Sequence, residues 1–473
     1  MQDGMRHLWG RCALALCAAA MSVAAVTITL NPAARYQTIV GFGGEAIEAA
    51  TYASDIINDA GVSCLRLDWC GAVHGLLDSR AFWNAGCHTL IGSCWSPPAG
   101  MKDNGSLNNG GHLLAAQYDA FGDFAVQQLQ QFRTNYGGEM YALSVQNEPA
   151  FAEFYGSCIY DGADLIEVTK IVGQKIAQAG LHTKLFLPED VYSNWSQDGK
   201  YFGPLLADTA VQKYICALAF HGYTADGITP AQMSAGTLGR MYTQAHSKGW
   251  QLWQTENAGS MNLNYAYDVI ACLRYGKVSM YLKYDITAGS GSSQEYYMNG
   301  SSKTLTYYVA KCINRFIRPG AVQIGSFSPD SAAFGAFVAF YDSAASALTV
   351  TLATDANAQT VTLAGTNLPS SMQKWVASST VNCVNQGNVA PGSSISIPAN
   401  SVVSLYGTGY TPPATGVAEP RARVNAVTAA VAGGRAFDLA GRHVPRDFLR
   451  PATSGVVLVA ASRGAEARVL ADR

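Results

Sequence analysis

The chain has 473 residues, a formal net charge of −2, 49% hydrophobic and 10% aromatic residues, and only 14% charged ones. That length exceeds one small domain, and the near-neutral charge excludes a protein built to hold nucleic acid or an acidic membrane surface. An aromatic-rich, weakly charged chain suits a neutral polymer such as a polysaccharide.

Arg6 and Arg11 precede an apolar run from Cys12 to Ala25 that ends on the small residues Val23-Ala24-Ala25. This pattern predicts a cleaved signal peptide over 1–25 and an exported protein, without a bilayer anchor. A strand Val26-Thr-Ile-Thr-Leu30 is expected next, within a segment 26–36 that joins a β-domain further along the chain.

Within 37–320, eight strand-like apolar segments alternate with helical stretches: Thr38–Gly43, Val62–Trp69, Thr89–Trp95, Met140–Asn147, Lys184–Pro188, Ile215–Tyr223, Trp250–Glu256 and Val278–Ile286. Continuous apolar strands alternating with helices demand a parallel, covered sheet, so the expected class is α/β, a (β/α)8 TIM barrel. From 321 to 409 short alternating runs such as Leu348-Thr-Val-Thr-Leu-Ala353 predict an attached antiparallel β-sandwich side domain. A linker over 410–420 leads to an Arg-rich, Lys-free tail, 421–473, which resembles the sorting modules of some exported bacterial proteins.

Two strand ends carry the chemistry. Ala-Leu-Ser-Val-Gln-Asn-Glu-Pro (142–149) stops on Glu148, and Trp250-Gln-Leu-Trp-Gln-Thr-Glu256 stops on Glu256. The C-terminal ends of barrel strands face the mouth. Two carboxylates there suggest glycoside hydrolysis, with one glutamate protonated to assist the leaving oxygen and the other ionised to attack. Arg66, a charge inside the apolar strand Cys64-Leu-Arg-Leu-Asp68, needs a partner, for which Asp68 is the local candidate. After loss of Cys12 and Cys17 the cysteines Cys64, Cys70, Cys87, Cys94, Cys158, Cys216, Cys272, Cys312 and Cys383 are odd in number, and their pairing is not readable. Cys64, Cys94 and Cys216 lie in strand-like runs and read as buried free thiols. No cysteine or histidine spacing matches zinc, so neither a metal nor another cofactor is expected.

Gly41-Phe-Gly-Gly44, Ser93-Cys-Trp-Ser-Pro-Pro-Ala-Gly-Met-Lys102, Val145-Gln-Asn-Glu-Pro149 and Trp253-Gln-Thr-Glu256 resemble family 30 glycoside hydrolases, closest to the bacterial xylanase and glucuronoxylanase branch. The likeness runs from Thr27 to Gly407 and is absent from the tail. It implies retaining hydrolysis with Glu148 as acid/base and Glu256 as nucleophile. It further implies Asn147 on a sugar hydroxyl, Arg66 beside the nucleophile, and His221 and Tyr223 as a His-x-Tyr pair at the sixth strand. Trp95 is implied as a sugar-stacking platform and Tyr155 as an aromatic on the leaving-group side. Where relatives carry an eighth-strand tryptophan this chain has Tyr281-Leu-Lys-Tyr-Asp285, with Tyr284 as a smaller substitute. The loop Thr287–Tyr297 lacks the arginine that holds a uronate, leaving Lys283 or Lys303 as point charges, so strict dependence on glucuronate is not expected. The expected protein is a monomeric endo-acting enzyme on β-1,4-xylan, a plant cell-wall polysaccharide. β-Glucosidase, β-1,6-glucanase, galactanase or β-xylosidase activity is the alternative on the same scaffold, and a non-catalytic carbohydrate-binding surface protein is the alternative of another class.

Overall fold

A computed structural model describes residues 25–45, 50–72, 79–191, 200–223, 235–288, 294–329 and 336–413, and short strands beyond them at Ala430–Ala432, Arg435–Phe437, His443–Val444 and Val459–Ala460. The expected signal segment falls outside these residues apart from Ala25, as do much of the linker and most of the tail. The chain divides into two units, 1–412 and 413–473. In the second, the four short strands pair in the order His443–Val444, Arg435–Phe437, Ala430–Ala432, Val459–Ala460.

In the first unit, eight parallel strands close a barrel: Gly41–Glu45, Cys64–Asp68, Thr89–Ser93, Ala142–Leu143, Lys184–Val191, Ile215–His221, Gln251–Glu256 and Met280–Lys283. Side chains alternate across each strand. Cys64, Ile91, Phe186, Ala217, Trp253 and Met280 belong to a small apolar cluster of their own. Their neighbours along the strands, such as Leu65, Leu90, Leu185, Leu218, Leu252 and Tyr281, pack in the larger core with helices that include Tyr118–Tyr136, Gly162–Gln178, Leu263–Ala271 and Leu305–Asn314.

Two glycines make closure possible. A Cβ at Gly43 would lie 1.9 Å from the Cys64 carbonyl oxygen, and one at Gly44 would lie 2.1 Å from that of Lys283. The first strand therefore fits between the second and eighth only because those side chains are missing. It begins later than the apolar pattern predicts, because Thr38 ends a long preceding strand, Val26–Thr38, that belongs to the side domain. The fourth strand is also shorter than expected: after Leu143 its backbone leaves the ladder and hydrogen-bonds to the third strand region, Ser144 to Gly92 and Asn147 to Cys94.

The side domain is one continuous nine-stranded sheet with an apolar core that includes Ile28, Ile324, Val350, Val361, Leu363, Ile397, Val403 and Leu405. It is mixed rather than wholly antiparallel, since Val26–Thr29 pairs in parallel with Val361–Ala364. Strands this far apart in sequence need no hairpin, so the antiparallel rule of local connections does not bind them. Helix Leu305–Asn314 and the residues after it tie this sheet to the barrel: Ser404 Oγ donates to the Cys312 carbonyl, Thr349 Oγ1 donates to that of Phe316, and the Phe316 and Trp375 rings lie 5.3 Å apart. Among the described residues no helix is long and apolar enough to cross a membrane.

Candidate active site

The upper ends of the barrel strands converge on a buried guanidinium. Arg66, 1% exposed, donates from Nε to Glu189 Oε1 at 2.8 Å and to Ser93 Oγ at 3.0 Å. Its Nη1 lies 2.5 Å from Glu256 Oε2 and 3.5 Å from Glu45 Oε2, and its Nη2 donates to Asn147 Oδ1. The second strand thus delivers one cation to carboxylates of the first, fifth and seventh. A bidentate, always-charged group can hold several anions in fixed directions, which a lysine cannot. Asp68 serves locally, accepting the backbone N–H groups of Cys70 and Gly71.

Glu148 follows the short fourth strand with φ of 46°, a left-handed conformation that non-glycine residues hold only when surrounding structure over-determines it. Its N–H donates to the Glu189 carbonyl at 3.0 Å. His221, fully buried at the end of the sixth strand, places Nδ1 2.9 Å from Glu148 Oε1 and 3.9 Å from Glu256 Oε2. One oxygen of each glutamate lies within 4.8 Å of the other and of the histidine nitrogen. That separation is of the order of the ~5–5.5 Å at which one carboxylate attacks while the other protonates. These three groups are also what a metal ion would need, but Nδ1 already engages Glu148 and Arg66 already neutralises Glu256.

Electrostatics follow from burial and these pairs. Burial raises the Glu256 carboxyl above its ordinary range, opposed by His221 and Arg66 and reinforced by Glu148 and Glu189. Glu45 is raised well above its ordinary value, again chiefly by burial. In Glu189 burial pushes the same way, but Arg66, His221 and Ser93 outweigh it and hold the carboxyl low. For His221, burial alone would favour the neutral ring; Glu256, Glu148 and Glu189 reverse that and push it up to about 10.

The remaining expected site residues fall as follows. Trp95 is 4% exposed and carries the Arg66 guanidinium over its ring, 4.4 Å from the centroid. One face of the expected sugar platform is therefore occupied by protein. Tyr155 is partly buried, and burial and then the charge of Glu148 push its phenol up. Tyr223 lies edge-on to His221, 5.9 Å between centroids, and Tyr284 is partly buried in the field of Glu45 and Glu256. Lys283 takes no part in the cluster. It is buried beside the seventh-strand loop, donates to the Ser260 carbonyl at 2.7 Å and faces Glu295 at 3.7 Å, and burial lowers its ammonium to about 8. Lys303 is committed to Asp55 and Asp59 at 2.6 and 3.1 Å. Neither is a free point charge for a uronate.

Sequence reasoning missed three features. Glu189 lies at a bulge inside the fifth strand, Lys184–Val191, which the sequence reading stops at Pro188. Cys94, read as a free thiol, forms a disulfide with Cys70 that joins the loops after the second and third strands beside Trp95; Cys64 and Cys216 are free. Lys102, the last residue of the long motif, is a clamp: its buried ammonium donates to Ser96 Oγ, Leu107 O and Ser157 O, holding the third and fourth loops together.

No family model matches the chain. Among curated proteins it is 30% identical over 148 residues to an endo-1,6-beta-D-glucanase of Neurospora crassa, covering 28% of each chain. It is 24% identical over 210 residues to the lysosomal acid glucosylceramidase of Mus musculus, 40% of this chain and 39% of that one. With a glucuronoxylanase of Bacillus subtilis the identity is 28% over 174 residues, 30% of this chain and 39% of that one. These alignments thus span well under half of each relative. Among solved structures, a family 30 subfamily 8 xylanase from Clostridium acetobutylicum superposes with a TM-score of 0.66 at 21% identity, covering 80% of this chain and 99% of that one. An endo-beta1,6-glucanase superposes with 0.63 at 18%, covering 81% and 94%. At these identities the structural likeness is one of fold, and fold and local sequence agree with the family 30 resemblance carried by the motifs.

Proposed function

We propose that this chain is an exported, retaining endo-glycosidase that cleaves β-1,4-xylan by double displacement, without needing a glucuronate substituent. The observation that carries the reading is the close approach of the Glu148 and Glu256 carboxylates, within 4.8 Å, between His221 and Arg66. Glu256, ionised against Arg66, attacks the anomeric carbon while Glu148 gives its proton to the departing oxygen; a water then releases the sugar with Glu148 as base. Asn147, oriented by Arg66, accepts from or donates to the hydroxyl beside that carbon. Engagement of Lys283 and Lys303 elsewhere supports independence from uronate. A second reading, β-1,6-glucan as the polymer, is favoured by the relatives named endo-1,6-glucanase. Export rests on the basic, apolar and small-residue order of the first 25 residues, and surface sorting on the Arg-rich tail.

The test is to digest glucuronoxylan, unsubstituted linear xylan and linear β-1,6-glucan in parallel and to size the products. Comparable cleavage of both xylans is the expected result. Cleavage of β-1,6-glucan alone selects the second reading, and inertness on all three removes the endo-glycosidase assignment. In the active case Glu148→Ala should cost at least about 10²-fold in kcat on polymer. It should cost far less on aryl glycosides whose leaving group needs no proton, and equal loss on both would remove Glu148 as the acid.

A further inference from the structure

Glu189 is built into the site at a conformational cost. The pairing of the fifth and sixth strands steps from Pro188↔Ala219 to Asp190↔Phe220, so Glu189 is a bulge, and its φ is 58°. Bulges re-aim a side chain, and a non-glycine residue in the left-handed region persists only where its surroundings hold it. Here the bulge turns a carboxylate into the fully buried centre of the barrel mouth. Its Oε1 accepts from Arg66 Nε at 2.8 Å and Ser93 Oγ at 2.7 Å and lies 4.0 Å from His221 Nε2, while its backbone carbonyl accepts the Glu148 N–H. One residue therefore bonds Arg66 and the backbone of the proposed acid and faces the second cation, His221, at ion-pair distance.

We propose that Glu189 is a positioning residue that holds Arg66 and His221 so that positive charge faces whichever of Glu148 and Glu256 is ionised. This rests on the double-displacement reading above. In that reaction negative charge moves from Glu256, which becomes an ester, to Glu148, which has lost its proton. His221 Nδ1 looks into the gap between the two, 2.9 Å from one and 3.9 Å from the other, and serves both states without turning. Such preorganisation lowers the barrier because no dipole has to rotate when charge moves. A carboxylate 4.0 Å beyond the far edge of the ring favours the imidazolium electrostatically. The charged groups that surround Glu189 and His221 are Glu45 and Arg66 from the first two strands, Glu148 after the fourth, and Glu256 from the seventh, with Ser93 as the neutral donor from the third.

The variant is Glu189→Gln, which keeps the shape and removes the charge. Two readouts are needed. In ¹⁵N-histidine NMR of the wild type, His221 should carry protons on both ring nitrogens at pH 7, and in Glu189→Gln its titration should move to lower pH. With an aryl β-glycoside, kcat should fall by about 10²-fold at little change in KM. The acid limb of kcat/KM should shift to lower pH, because a neutral glutamine no longer opposes ionisation of Glu256. Loss of activity with unmoved limbs and an unmoved histidine titration would make Glu189 merely structural. A neutral His221 in the wild type at pH 7 overturns the proposal even if the variant does not fold. An enzyme inert on every β-glycoside would sink the reaction assigned above, while the NMR arm still decides whether Glu189 holds an imidazolium.

Discussion

Two ion networks in this barrel use the same chemistry with opposite results. At the mouth, Arg66 is one guanidinium facing Glu45, Glu189 and Glu256, all buried. At the periphery, Asp59 is one carboxylate facing Lys303, Lys311 and Arg315 at 3.1, 2.6 and 3.7 Å, these four charges all partly in water, with the hydroxyl of the buried Tyr307 at 2.7 Å. In Asp59 burial, the largest single influence, pushes the carboxyl up, but hydrogen bonds from Lys311, Tyr307 and Lys303 together outweigh it, and the carboxyl falls to about 2. In Glu256 and Glu45 burial wins and the carboxyls rise, while Glu189, bonded by Arg66 and Ser93, is held low like Asp59. The sign is decided by desolvation and by which charge is in excess, not by the presence of an ion pair. The peripheral network fastens the segment after the first strand to helix Leu305–Asn314. The central one gathers buried carboxylates around a single guanidinium.

Removing the hub of the central network should have the largest effect. Arg66→Met leaves three buried carboxylates facing one another, and should lower the unfolding free energy at pH 7 by about 3–5 kcal/mol as read from urea midpoints. A loss under about 1 kcal/mol would mean that the mouth is far wetter than its burial indicates. A smaller test reads the raised Glu256 directly. On the proposed mechanism Glu256 attacks in its ionised form, and burial holds its carboxyl above the ordinary range, so activity should disappear on acidification at a higher pH than an ordinary carboxylate would allow. His221→Asn removes a cation that favours ionisation and should push that limb higher still; a limb at or below the ordinary value would contradict the burial argument. The smallest effect belongs to the periphery. Asp59→Asn should cost no more than about 1 kcal/mol at neutral pH, because the side chain is part-exposed and its ion pairs are screened by solvent. Its folded pKa is depressed, so the contribution is fully present above the unfolded value of 3.8 and disappears as pH falls through about 2. Wild-type and variant melting curves should therefore converge in acid, and a constant gap would assign the loss to packing.

Much of the site was legible from strand ends. Glu148 and Glu256 stood out because an apolar run that stops on a carboxylate has few structural explanations, and Arg66 because a buried charge must be paired. Glu189 obeys the same rule, yet Pro188 reads as the stop of a strand, and a bulge one residue later leaves no periodic trace. Trp95 was legible as an aromatic at a strand end, but only the fold shows that Arg66 lies over its ring. Lys283 and Lys303 looked available because charge is visible in a sequence and engagement is not.

Periodicity along the chain was enough for eight alternating strands and helices, a β-rich module after them, and the carboxylates at two strand ends, since burial patterns are local and repeat every second or fourth residue. Which cysteine meets Cys70, which carboxylates share Arg66, and that residue 26 pairs in parallel with residue 361 were settled only by tertiary packing. Those contacts join segments tens to hundreds of residues apart, where no local pattern carries information and closure of the barrel and sheet selects the partners.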